Sequence, residues 1–323
     1  MPTAKLSWKN KRVLVTGGAG FVGRVLCPLI EHKGARVFVP RSKDYDLTQV
    51  EQVRRCYDWA QPDYVLHLAA EVGGIGANRL HPGRYFFANM AMGLHLIEEA
   101  RLRKVARFLQ TGTICAYPNM APTPFRETSL WDGFPETTNA PYGIAKKSLW
   151  MMLDAYHREY GMSCAYVLPV NLYGPEDNFH PEYSHVIPAL IRKCVEARQA
   201  GAKEIVCWGT GKASREFLYV DDAARGILAA VEKMDRPDPI NLGTGSEIRI
   251  RDLVTLIADL SGFHGKIVWD ATKPDGQPRR CLDVTKARTL LGWSARTDLK
   301  NGLQKTIRWF GKHQHNLREI VYG

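Results

Sequence analysis

The sequence predicts an α/β fold, a doubly wound parallel sheet with a smaller C-terminal domain. Three observations carry this. Strand-length apolar runs alternate with helix-length runs through the first half of the chain, which calls for crossovers between parallel strands. The strands are continuously apolar, as in Val13-Leu14-Val15, which suits a sheet covered on both faces. A glycine pattern T-G-x-x-G-x-x-G, with Gly17, Gly20 and Gly23, joins the first strand to the first helix.

In "KRVLVTGGAGFVGRVLCPLIEHKGARVFVP" a strand and a glycine turn lead to a helix that runs to about His32 and stops near Gly34. A second strand, "ARVFVP", ends at Pro40. Helix "TQVEQVRRCYDWA", strand "DYVLHLAA", helix "GRYFFANMAMGLHLIEEARL" and strand "ARFLQTGT" follow. A helix from Tyr142 to the breaker Gly161 comes next, with Pro141 suited to its first turn, and then a strand "CAYVLPVNLYG". From about Tyr173 the texture is irregular and the chain is expected to leave the sheet. "SREFLYVDDAARGILAAVE" and "PINLGTG" read as a helix and a strand returning to it. The domain division is therefore 1–172 plus about 216–244 for the sheet, and about 173–215 plus 245–323 for the smaller domain. The last part of the chain is expected to cap the sheet and hold a second ligand.

Composition narrows the function. The chain has 323 residues, 45% hydrophobic and 24% charged, which is ordinary for a globular protein and excludes a low-complexity or fibrous chain. No apolar stretch reaches the ~20 residues that cross a bilayer. The polar start "MPTAKLSWKNKR" does not read as a secretory signal. Seven scattered cysteines, with no C-x-x-C pair, suggest a reduced, cytoplasmic protein without a metal site. The net charge is 44 − 33 = +11, yet Lys and Arg never run more than two together. No nucleic-acid module appears, so neither nucleic acid nor membrane is the expected partner. A phosphorylated small ligand fits better.

The glycine turn follows a strand and opens a helix in a βαβ unit, the context a dinucleotide site requires. Gly17, Gly20 and Gly23, with Phe21 and Val22, let a pyrophosphate approach backbone N–H groups at the helix N-terminus. The end of the second strand should read the ribose. It offers Arg41 and Lys43 in "VPRSKDYDL", with no acid directly after the strand, which favours NADP(H) over NAD. Asp46 and Leu47 would lie under the adenine. Tyr142 and Lys146, four apart, share one helix face. Such a pair is often only a solvated surface pair. Beside a nicotinamide it is chemistry: a tyrosine with an ordinary pKa of ~10 is a poor base at neutrality, and a lysine cation favours its phenolate. Thr113 supplies a hydroxyl for the same carbonyl. Taken alone, Cys115 could be a small buried hydrophobe and His185 a loop hydrogen-bonder.

Together, "TGGAGFVG", "LHLAA", Thr113, "YGIAK", "NLYGP", "REFLYVDD" and "INLGTG" resemble the extended short-chain dehydrogenase/reductase superfamily, with its Rossmann-type sheet, over nearly the whole chain. Within it, "AAEVGGIGAN", "CAYP", "ETTNAPYGIAK", "NLYGPEDNFHPEYSHVIPAL", "WGTGKASREFLYVDD" and "KPDGQPRRCLDV" are similar to the GDP-L-fucose synthases, which are GDP-4-keto-6-deoxymannose 3,5-epimerase/4-reductases.

That resemblance implies an NADP(H)-dependent epimerase/reductase acting on a GDP-4-keto-6-deoxy sugar. Tyr142, Lys146 and Thr113 would serve reduction, with Cys115 and His185 as the epimerising pair. Base on one face and acid on the other is what inverting a carbon beside a ketone needs. Leu68, Ala69, Ala70 and Pro169 join the implied cofactor site. Asn171, Val186, Lys193, Trp208, Arg215 and Asp275 would surround the GDP-sugar, with Arg215 as a bidentate clamp on the diphosphate. A homodimer is implied, packed through the "GRYFFANMAMGLHLIEEA" and Tyr142 helices. The chain departs from the family at Thr113, where Ser is usual, and at Ala19, where an arginine often meets the 2′-phosphate. Ala19 keeps open a second reading, an epimerase that retains NAD. The plant-type GDP-mannose 3,5-epimerases carry Lys where this chain has His185.

Overall fold

A computed structural model describes residues 6–317 apart from Gly74, Glu182 and Pro274. The first five residues of the polar N-terminal run, and one residue each of the "AAEVGGIGAN", "NLYGPEDNFHPEYSHVIPAL" and "KPDGQPRRCLDV" motifs, lie outside the described residues.

In chain order the main elements are β1 (Arg12–Thr16), α1 (Phe21–His32), β2 (Arg36–Phe38), α2 (Val50–Ala60), β3 (Tyr64–His67), α3 (Ile75–Leu80), α4 (Pro82–Leu102), β4 (Arg107–Thr111), α5 (Ala140–Tyr160), β5 (Cys164–Pro169) and β6 (Asn171–Tyr173). They continue with α6 (Val186–Gln199), β7 (Glu204–Trp208), β8 (Ser214–Tyr219), α7 (Val220–Lys233), β9 (Pro239–Leu242), β10 (Glu247–Arg249), α8 (Ile250–Ser261), β11 (Lys266–Asp270), β12 (Arg279–Arg280), α9 (Thr285–Leu291) and α10 (Leu299–His313).

Among the described residues the main sheet has six strands in the order β2-β1-β3-β4-β5-β9, every neighbour parallel. α1 packs on α7 and α7 on α9, while α4 packs on α2 and α5, so helices gather in two layers. β1, β3, β4 and β5 are buried along most of their length, as continuously apolar strands require, while β2 at the edge is exposed to half-buried. The order reverses between β1 and β3, and the crevice at that switch is where such sheets bind ligands.

The helix carrying Tyr142 has the predicted ends. Pro141 stands in its first turn, where a missing N–H costs nothing, and Gly161 closes it at φ 66°.

Two predicted segments differ. "CAYVLPVNLYG" is two strands, because Pro169 offers no N–H to the ladder and the chain turns away after it. From Asn171 it pairs with β8 instead. "SREFLYVDDAARGILAAVE" begins as strand β8 and becomes helix only at Val220. Here tertiary context overrides the helical reading. Leu218 faces the core under the main sheet, while Phe217 and Tyr219 face a second core built by α6, α8 and α10. That alternation has the period of a strand.

β8 also pairs with β10 and β12, and β7 with β11, to form the smaller layer. Glu216, fully buried on β8, ties the layers together. Its carboxylate accepts the N–H groups of Thr244, Gly245 (2.7 Å) and Leu282 (2.7 Å). Burial raises its pKa despite those donors.

Candidate active site

A cleft of about 1930 Å³ runs along the C-terminal ends of the main strands and into the smaller layer. Gly17, Gly20, Phe21, Val22, Gly23, Arg41, Asp46, Leu47, Leu68, Ala69, Ala70 and Pro169 border it. So do Thr113, Cys115, Tyr142, His185, Asn171, Val186, Lys193, Trp208, Arg215 and Asp275. Lys146 does not, since it is buried behind this wall.

The glycine turn is built for close approach. Gly17 has φ 70°, and a β-carbon there would lie 2.8 Å from the Ala69 nitrogen. At Gly23 a β-carbon would strike the Gly17 carbonyl. Gly20 caps α1 with no side-chain acceptor, so the first-turn N–H groups of Phe21, Val22 and Gly23 point at the cleft's end. Arg41 is exposed and forms no ion pair among the described residues. Lys43, by contrast, does not border the cleft. Arg24 reaches the Ala19 carbonyl at 3.1 Å, but its charge is held by Glu176 at 2.5 Å. Asp46 spends its carboxylate on the Thr48 N–H and hydroxyl, at 3.0 and 2.7 Å.

Thr113 is buried at the end of β4, and its Oγ1 accepts the Cys115 N–H at 3.2 Å. The hydroxyl proton therefore stays available to a second acceptor. α5 lies hard against this turn: a β-carbon at Gly143 would collide with the Cys115 carbonyl oxygen. The glycine inside "YGIAK" thus lets Tyr142 reach the cleft.

Lys146 Nζ is 5.9 Å from the centre of the Tyr142 ring and has no hydrogen-bond partner among the described residues, and the residue is 1% exposed. Burial pulls its pKa down to about 7. The amine is thus only partly the cation that the spacing suggests. His67 shares its surroundings. Nδ1 meets Thr16 Oγ1 at 2.7 Å, Nε2 has no partner among the described residues, and burial followed by the Lys146 charge pushes the imidazole well below its ordinary value. A buried amine lacking an acceptor among the described residues, beside a cleft that the glycine turn also borders, fits a bound dinucleotide whose ribose hydroxyls would complete the amine's bonding.

His185 caps α6 and faces the open volume, yet enough protein surrounds the ring that desolvation lowers its pKa. Asp177, which sequence reasoning missed, borders the same space. One carboxylate oxygen is buried without a partner among the described residues, and burial raises the group's pKa to about 7. Arg280 was likewise missed, although its motif was legible. Its Nη1 is 3.8 Å from Cys115 Sγ.

At the far end Arg215 bonds the carbonyls of Ser214 and Asp275 at 2.7 and 3.2 Å, and burial lowers its pKa to about 10. Asp275 is held by Thr210, Trp208 is 67% exposed, and Lys193 donates to the Val206 carbonyl at 2.5 Å. Asn171 donates to the Glu216 carbonyl at 3.0 Å. The last two side chains are thus partly committed to holding the fold. Among the described residues no cluster of three or more His, Cys, Asp or Glu side chains could hold a metal ion. No helix there is long and apolar enough to cross a membrane.

Comparison with known proteins agrees with this architecture. Residues 13–243 match the model of the NAD dependent epimerase/dehydratase family. A probable GDP-L-fucose synthase 1 of Oryza sativa subsp. japonica is 40% identical over 307 residues, covering 94% of this chain and 93% of that protein. The GDP-L-fucose synthase of Escherichia coli (strain K12) is 39% identical over 319 residues, 96% of this chain and 99% of that one. A solved GDP-L-fucose synthetase from Naegleria fowleri, bound to NADP, superposes with a TM-score of 0.89 at 29% identity, covering 98% of each chain. The chain therefore belongs to the NAD dependent epimerase/dehydratase family, the extended short-chain dehydrogenase/reductases, and groups there with the GDP-L-fucose synthases.

Proposed function

We infer that this protein is an NADP(H)-dependent epimerase/reductase that converts a GDP-4-keto-6-deoxy sugar to its epimerised, reduced product. One observation carries the reading. Thr113, Cys115, Tyr142 and His185 border a single cleft that has the glycine turn at one end and Arg215 with Asp275 at the other. Similarity to GDP-L-fucose synthases over nearly the full chain supports the same substrate class.

Arg215 binds the sugar diphosphate through its planar fork, and Trp208 offers a face to the base. Cys115 and His185 move protons at the carbons flanking the ketone, one withdrawing and one returning. Bound NADPH supplies the hydride for the 4-keto carbon. Thr113 donates to the keto oxygen, and Tyr142 gives that oxygen its proton. Lys146, once a ribose hydroxyl accepts from its amine, holds a cation behind Tyr142. Arg41, just after β2 and in no ion pair among the described residues, meets the 2′-phosphate that separates NADP(H) from NAD.

The proposed division of labour keeps 1–172 plus about 216–244 for the cofactor and about 173–215 plus 245–323 for the sugar nucleotide. Two apolar cores support such a division in outline, although Leu282, Ala287, Leu291 and Trp293 pack in the core of the main sheet and Phe217 and Tyr219 in the second core. Exposed Phe86, Phe87 and Leu94 on α4 and Met151 on α5 support a homodimer through these helices. All seven cysteines are free thiols, in keeping with a cytoplasmic setting.

The test is incubation with GDP-4-keto-6-deoxymannose and NADPH, following nucleotide absorbance and the sugar by NMR. NADPH consumption with a new 4-hydroxy epimer is expected. No consumption and no new sugar would refute the reading. Turnover on retained NAD, without added nucleotide, would replace it with a non-redox epimerase.

A further inference from the structure

We propose that Arg280 is a positioning residue for Cys115: its guanidinium holds the sulfur in place and balances the charge the sulfur carries during proton transfer. The proposal rests on the reading of Cys115 as a proton carrier.

The geometry is specific. β12 runs parallel to β8 with Arg280 opposite Arg215, which brings two guanidinium groups to the same end of the cleft. Arg215 turns its nitrogens to the Ser214 and Asp275 carbonyls. Arg280 reaches the sulfur, with Nη1 3.8 Å from Sγ. Its Nε donates to Gln277 Oε1 at 2.7 Å, and buried Gln277 donates in turn to the Asn119 carbonyl at 2.8 Å. Asn119 lies four residues after Cys115 on the same connection, so the guanidinium is braced against the loop that carries the thiol. The nearby acid, Glu136, already accepts from Thr138 and Asn139, and Arg280 forms no salt bridge among the described residues. Glu136 feels the Arg280 charge, which helps to lower its pKa, but among the described residues no carboxylate is in ion-pair contact with the guanidinium.

The chemistry needs such a partner. When the sulfur takes a proton from the sugar carbon, the C–H bond breaks and an S–H bond forms. The electron pair passes to the keto oxygen, giving an enolate. Before that step, and after any return of the proton, the sulfur is an anion. Arg280 is the cation whose hydrogen bond reaches it.

The experiment reads the thiol directly in the ligand-free protein. The other six cysteines are buried, so iodoacetamide addresses Cys115. Arg280→Gln should slow its alkylation at neutral pH about tenfold, the order of one hydrogen bond to a charged group. Deuterium wash-in to the sugar should fall with it, KM should change little, and Arg280→Lys should recover most of both rates. Should Arg280→Gln not fold, Gln277→Ala, which frees the guanidinium without removing it, is expected to slow alkylation in the same direction. Unchanged alkylation, or a raised KM with wash-in intact, would overturn the proposal and leave Arg280 as a diphosphate ligand. Slowed alkylation alongside a Cys115→Ser variant that still exchanges would instead refute the proton-carrier reading and keep the pairing.

Discussion

The amine of Lys146 sits 5.9 Å from the centre of the Tyr142 ring, buried, with no hydrogen-bond partner of its own among the described residues. Two side chains one helical turn apart thus differ completely in setting: the phenol borders the cleft and the amine is sealed behind it. The energetic cost of that arrangement falls on the ligand-free protein.

That cost is visible as a pH dependence. Burial lowers Lys146 to about 7 from 10.5. Between those values the unfolded chain binds a proton that the folded protein does not, so this group makes stability rise with pH across that window. Below it the folded protein carries a partnerless buried cation. Lys146→Met should therefore raise the melting temperature of the cofactor-free protein, most below neutrality, with the gain shrinking as pH climbs. A gain that stays constant with pH would contradict the assignment.

Tyr142→Phe should separate reduction from exchange. Loss of a positioned acid should slow NADPH oxidation by roughly 10²–10⁴-fold. Deuterium wash-in from D₂O beside the ketone should persist. A variant that reduces normally would remove Tyr142 from the mechanism.

Cys115→Ser should do the converse. Serine keeps the bond to Thr113 through the backbone but is a far weaker acid than a thiol, so wash-in should nearly vanish. Slow NADPH oxidation should remain and yield the unepimerised, 4-reduced sugar, identifiable by NMR. Intact wash-in would show that another group does this work.

Arg41→Ala should raise KM for NADPH roughly 10- to 100-fold, the worth of a charged hydrogen bond to phosphate. KM for NADH should not move. Equal effects on both nucleotides would mean that Arg41 does not read the 2′-phosphate.

Glu216→Gln should destabilise the fold. One carboxylate oxygen takes two N–H groups and the other takes a third, from Leu282. An amide nitrogen in either position sets donor against donor in a buried site, at a cost of about 1–3 kcal/mol. Urea unfolding measures it, and an unchanged midpoint would show that water replaces the lost acceptor.

The alternation of strands and helices was legible because continuously apolar strands and glycine turns report local geometry. Pro141 and Gly161 bounded α5 for the same reason. β8 was not legible as a strand, since the partners that bury Phe217 and Tyr219 come from α6, α8 and α10, distant in sequence. The cleft residues followed from short motifs at strand ends. Arg280 and Asp177 sat inside quoted motifs, but only tertiary packing sets a guanidinium beside a thiol or buries a carboxylate oxygen. Gly143 stands inside α5, where glycine is a poor helix former. Its reason is the Cys115 carbonyl, which belongs to another element. Nor does spacing reveal that Lys146 is sealed from water, because protonation depends on burial.

β9 completes the main sheet only after the chain has left it through β6, built α6, β7 and β8, and come back along α7. During synthesis this order matters. Until Pro239–Leu242 has emerged from the ribosome β5 is an unprotected edge, and until α7 has emerged α1 lacks the helix that covers it. Open strand edges are templates for mispairing. The nascent chain therefore holds its first five strands in an unfinished state through much of its own translation. A message cut short before that strand would encode an adhesive fragment, not a small nucleotide-binding protein.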